Sequence, residues 1–190
     1  MKTLLAGAAI LFLAGCQATF WAQAPLPGGS CDPAAAGRWL SRSTNEDGGS
    51  EGMRLIVDAG CRLVAEKLAN DVVVDRSEPA QVRMAGSHGQ SFAWLDANTL
   101  LAYEGVAHRT RDSDVMLFRY RIDGDQLQVW NINHMFVRSQ IEEGVIPGVF
   151  EDTGEDEFNR ITGPVAPDLF ADTALFDVPP ITLRLEEHQQ

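Results

Sequence analysis

The sequence predicts a mainly β protein, an antiparallel meander barrel of about eight to ten strands with one short helix near residues 134–143. Two observations carry this. Between Trp39 and Trp130 apolar residues recur mostly at every second position, the period of a strand. These runs are punctuated by turn-forming residues such as Asp58-Ala59-Gly60 and Asp123-Gly124. The composition agrees, because 190 residues with 45% hydrophobic and 22% charged are enough for one cored domain and exclude a disordered chain.

Strands are expected near 37–43, 53–58, 61–67, 71–75, 80–85, 91–95, 99–107, 115–122 and 126–132, with a last one on Ile181, Leu183 and Leu185 after Pro179 and Pro180. In the first clear hairpin Met53, Leu55 and Val57 form one face. A three-residue loop with Gly60 left-handed would pair Val57 with Cys61 and Leu55 with Leu63, turning Cys61 inward. Phe92 and Trp94 lead through Asp96-Ala97-Asn98 to Leu100 and Ala102, with Asn98 supplying the left-handed residue of a second turn. Met116, Phe118, Tyr120 and Ile122 share the face of a strand that ends at Asp123-Gly124. A two-residue turn there would pair Tyr120 with Leu127 and Phe118 with Val129.

The helix starts from Asn133 as cap, carries Val137 and Ile141 four residues apart, and ends at Gly144. Residues 144–180, with Pro147, Pro164, Pro167, Pro179 and Pro180, read as loop-rich around a short helix over 168–174.

At the N-terminus Lys2 precedes an apolar run, Leu4 to Phe12, that has the length of an export signal and is too short for an ordinary membrane span. Leu13-Ala14-Gly15-Cys16 then resembles the lipobox of bacterial lipoproteins. The resemblance implies a signal peptide over 1–15, a thioether-linked diacylglycerol on Cys16 and an acylated new amino terminus, palmitate being a representative chain. With Gln rather than Asp at position 17, it also implies the outer membrane, facing the periplasm, rather than the inner membrane.

Residues 16–30 read as a lipidated tether, in which Phe20 and Trp21 either lie among headgroups or pack on the domain, and 31–190 as a single β-barrel domain. Once Cys16 carries lipid, Cys31 and Cys61 remain in an oxidising compartment and are expected to form a disulfide.

Gly37-Arg38-Trp39 resembles the Gly-x-Trp of the lipocalin and wider calycin group, in which a distant Arg packs on that Trp. The resemblance implies a ligand-holding barrel and offers Arg184 or Arg160 as the counterpart. Large side chains at Trp39, Phe92, Trp94, Phe118, Tyr120 and Trp130 either fill the interior or line an apolar cavity.

Catalytic chemistry is thinly represented. Gly48-Gly49-Ser50-Glu51-Gly52 has the form of a nucleophile elbow but follows a polar run, Ser43 to Asp47, instead of a buried strand. Ser87-His88 lies between glycines and reads as a turn. The four histidines, His88, His108, His134 and His188, lack metal-ligand spacing, and the acidic stretch from Glu142 to Glu157 lacks an alternating calcium loop.

Loss of residues 1–15 removes Lys2 alone among charged residues and takes the net charge from −12 to −13, which excludes a nucleic-acid partner held by a basic field. The expectation is a non-enzymatic, lipid-anchored envelope module. It would have no catalytic residues, no metal and no cofactor beyond the lipid on Cys16, and would bind a small apolar ligand or lipid. The alternative is an interaction lipoprotein that engages an envelope protein through its acidic surface.

Overall fold

The computed structural model describes residues 17–45, 48–106, 110–152 and 157–186. In chain order the elements are β1 (Gln17–Trp21), β2 (Gly37–Thr44), β3 (Ser50–Val57), β4 (Arg62–Ala69), β5 (Val72–Arg76), β6 (Ala80–Gln81), β7 (Arg83–Ser87), β8 (Gln90–Asp96), α1 (Ala97–Glu104), β9 (Val115–Asp123), β10 (Gln126–Trp130), α2 (His134–Glu142), β11 (Gly148–Asp152), β12 (Glu157–Ile161) and β13 (Ile181–Leu185). Short 3₁₀ turns lie at Pro33–Ala35, Pro167–Ala171 and Thr173–Phe176.

All thirteen strands belong to one large mixed sheet, whose main path is β11-β12-β1-β9-β10-β13-β2-β3-β4-β5. The paired ladders do not close into a ring. Ala80–Ser87 nevertheless crosses the gap as a covalent strap: β6 pairs with β4, β7 pairs with β8, and only Val82 separates them. The sheet is mixed rather than purely antiparallel because β1 runs parallel to β12, while the other ladders are antiparallel.

The alternation seen in the sequence sets the first core. Trp39, Met53, Cys61, Met84, Leu95, Phe118, Tyr120, Leu127 and Leu183 pack in one cluster, each from the inward face of its strand or turn. The disulfide between Cys31 and Cys61 is present, with a sequence separation of 30, and ties the Pro33–Ala35 turn to this cluster. Closing a loop of that length contributes about 3 kcal/mol by restricting the unfolded chain.

The hairpin before Cys61 keeps its apolar face but differs in register. Val57 pairs with Leu63 and Leu55 with Ala65, and Cys61, not Gly60, is the left-handed residue. Asp58 explains the wider turn, since its carboxylate accepts from the Gly60 and Arg62 amides. At the second hairpin the turn is Gly124-Asp125, one residue later than expected, so Tyr120 pairs with Val129.

Four expectations are corrected. Residues 17–21 are not tether but strand β1, buried on both faces. Ala18 and Phe20 pack with Phe158 and α1, and Trp21 stacks on Phe170 at 5.8 Å, which leaves neither aromatic for the membrane. The strand expected over 99–107 is the helix α1 as far as Glu104, with residue 107 outside the described residues. Asp96 caps α1 by accepting from the Thr99 amide, and Gly105 ends it at positive φ. Asn98 is therefore helical, not a turn residue, and bonds across to Thr110. The stretch 144–180 is not merely loop-rich, because it supplies β11 and β12. Helix α2 forms with the expected Asn133 cap on the Phe136 amide.

A buried ion pair locks β12 to the start of β9. Arg160 donates to both oxygens of Asp114 at 2.7 and 2.9 Å, and Asp114 also accepts from Thr110 Oγ1. Burial pushes the Asp114 carboxyl upward, but the bonds from Arg160 and Thr110 outweigh it and hold its pKa below the ordinary carboxylate value. Arg160 is thus committed to Asp114 and not to Trp39, whose indole donates to Ala35 O at 2.9 Å, while Arg184 is exposed on β13. Replacing one partner leaves an uncompensated buried charge, so Asp114→Ala should cost about 3–5 kcal/mol in urea unfolding with the disulfide intact. A loss below about 1 kcal/mol, the worth of a surface pair, would contradict the buried assignment.

Candidate functional site

The six large residues expected at a ligand cavity are divided between the two faces of the β8–β9 pair. Phe118 and Tyr120 line a void of about 100 Å³ inside the first core, together with Leu55, Val82, Met84 and Leu100. Trp39 is buried in the same cluster. Phe92 and Trp94 point the other way, into a second core with Trp21, Phe170 and Phe176, because they alternate with the inward Ala93 and Leu95. Trp130 also lies on the second face, where the Arg119 guanidinium stacks on its ring at 4.3 Å.

The interior void is flanked at one end by α1, through Leu100. At the other end is the Pro33–Ala35 turn, where Tyr120 donates its hydroxyl proton to Asp32 Oδ2 at 2.9 Å. A void of about 150 Å³ holds a benzene-sized molecule. The first core is accordingly filled rather than hollow.

Larger concavities lie outside it among the described residues. A groove of about 610 Å³ runs past Asp32, Gln90, Ser91, Arg119, Tyr120 and Trp130. A cleft of about 460 Å³ is lined by Gln17–Thr19, Met116–Phe118, residues 131–135 and residues 178–181.

The topology explains the cleft. On one edge of β9, β10 pairs with residues 119–123 and β1 pairs only at Val115. Between these two ladders β1 and β10 diverge, and the wedge they leave has Met116–Phe118 as its floor. Ala18, Ile132, Met135, Val178, Pro180 and Ile181 give it an apolar wall, with Met135 57% exposed at the rim.

His134, the first residue of α2, closes the polar side of this wedge. Asn159 donates to the His134 carbonyl at 2.8 Å and lies 3.4 Å from Thr19 Oγ1. His134 Nδ1 lies 3.2 Å from the Ala18 carbonyl, an acceptor, and 3.0 Å from Asn159 Nδ2, a donor. Burial lowers the His134 pKa, against the opposing pull of the Ala18 bond and the Glu157 charge, with Arg138 adding to the lowering. The sequence lists His134 among four unspaced histidines, and nothing local marks it as a site residue, because its neighbours Ala18 and Asn159 are remote in the chain.

Among the described residues no three His, Cys, Asp or Glu side chains gather as a metal-binding group. Ser50 opens β3 after a loop and pairs with Thr44, the reverse of a strand delivering a serine to a helix. Ser87 pairs with Gln90 across the His88-Gly89 turn. Cys16, the segment 1–15, His108, His188 and residues 153–156 of the acidic stretch lie outside the described residues. No described helix is long and apolar enough to cross a membrane. Comparison with known proteins returned no matching family model, no matching curated protein and no matching solved structure.

The His134 environment gives a pH prediction. A histidine whose folded pKa is depressed adds full stability above its unfolded value of about 6.5 and loses it as pH falls from there through the folded value. The urea midpoint should fall below about pH 6.5 in the wild type, and His134→Gln should flatten that part of the profile. An identical slope in both proteins would mean that the imidazole titrates as if exposed.

Proposed function

We propose that the protein is a lipid-anchored envelope lipoprotein, attached through Cys16 at the periplasmic face of the outer membrane. Its domain is a non-enzymatic module for a small apolar ligand or lipid. The observation that carries this reading is the apolar cleft of about 460 Å³ at the root of β1, a volume typical of small-ligand sites, about 300–1,000 Å³. The disulfide suits an oxidising compartment. The lipocalin-like barrel belongs to the same proposal: the strap Ala80–Ser87 joins the two sides of the roll around the first core. The ligand site, however, is the cleft and not the interior, whose void of about 100 Å³ is too small for a lipid chain.

A second reading, engagement of an envelope protein, is favoured by β5. Every residue of this edge strand is exposed, and Val72, Val73 and Val74 place consecutive β-branched apolar side chains on it. An unpaired edge of this kind offers main-chain groups to an added strand.

The test is titration of the unlipidated chain, residues 17–190, with a fluorescent long-chain fatty acid. Saturable binding is expected, weakened about tenfold or more by Met135→Asp, a substitution at an exposed rim position that leaves both cores intact. Absence of saturable binding to the folded wild-type domain would defeat the ligand reading and leave the β5 edge as the functional surface.

A further inference from the structure

The cleft begins where the candidate anchor is attached. Gln17, the first described residue, forms part of its wall, and Cys16 is bonded directly to Gln17. Gln17 is itself held in place. It occupies the first rung of the β1–β12 ladder opposite Glu157, and its side-chain amide donates to the Glu157 carboxylate at 3.2 Å. Successive Cα atoms are about 3.8 Å apart. A lipid on Cys16 would therefore be attached one residue away from the cleft wall.

We propose that the cleft holds a fatty acyl chain carried by Cys16, so that the domain binds part of its own anchor. This rests on the lipid-anchor reading above and names the ligand of the same site. Three features fit an acyl chain better than a polar occupant. Ala18, Met116, Ile132, Val178 and Ile181 form the apolar part of the wall, facing a polar side that includes Thr19, Asn133 and His134. Met135 stands exposed at the rim, and its unbranched thioether adapts to a flexible chain. The attachment point is adjacent, so binding is intramolecular, at an effective concentration no free lipid in the periplasm can match. Occupancy would also fix orientation: the α2 N-terminus and Pro179-Pro180 would lie against the bilayer, and the β5 edge, at the far end of the sheet path, would remain free.

The test uses the full chain, produced in bacteria fed a fatty acid with a diazirine in its acyl tail, then irradiated in isolated membranes and mapped by mass spectrometry. The expected result is an acylated Cys16 whose photoproduct lies on residues 131–135 or 178–181, with a several-fold lower yield in Met135→Asp at unchanged acylation. Acylated Cys16 with photoproducts only on phospholipid would overturn the self-binding proposal and leave the anchor standing. Mature protein without an acyl group on residue 16 would overturn the anchor reading, and the proposal with it.

Discussion

Over Phe92–Leu95 and Leu117–Phe118 the strand pair β8–β9 is covered on both sides. Ala93, Leu95, Phe118 and Tyr120 lie on one side, and Phe92, Trp94 and Leu117 on the other. Large apolar side chains contribute roughly 1.5–3 kcal/mol each when buried, so neither side can be left wet. The first side is covered by the roll of β2, β3, β4, β10 and β13, with the Ala80–Ser87 strap across its gap. The second is covered by α2, by the two 3₁₀ turns over 167–176, and by Trp21 and Ile161 from β1 and β12. The C-terminal third and the first described residues thus form the lid of a second core.

That lid needs a fixed position, and the Asp114–Arg160 pair supplies it at the point where β9 begins. β1 is then held between β12 and the first residue of β9, with α1 packed on Ala18 and Phe20. β10 takes residues 119–123 of the same β9 edge, and β1 diverges from it after Val115. The cleft is the geometric remainder of two strands competing for one edge. It lies on the lid side of the molecule, with Gln17 in its wall.

Much of the roll was legible because its strands keep one polar face. Met53-Leu55-Val57 and Ile181-Leu183 keep the alternation of a half-buried strand, and the Asn133 and Gly144 signals bound α2 closely. The misreadings share a cause, burial on two sides. Ser91 to Leu95 is a nearly continuous apolar run, the mark of a strand covered on both faces, so the aromatic residues at 92 and 94 could be assigned to the wrong core.

Gln17 to Trp21 has no clean alternation for the same reason and is only five residues long. β12 hides its core role behind Asn159 and Arg160, buried polar residues whose donors reach Thr19, His134 and Asp114 in distant parts of the chain. At α1 the cap was present in the sequence as Asp96 with Thr99 three residues later, but strand-like spacing at Leu100 and Ala102 masked it. The cleft had no local signal, since its walls come from four separated segments.

Residues 18–21 are an integral part of the folded lid. Amide hydrogen exchange on the folded full-length protein measures this directly. Protection at Thr19, Phe20 and Trp21 should be comparable to that of Leu117 and Phe118 and persist for as long as the domain is globally folded. Exchange of those three amides at free-chain rates, with β9 still protected, would contradict it and return the segment to the role of a tether.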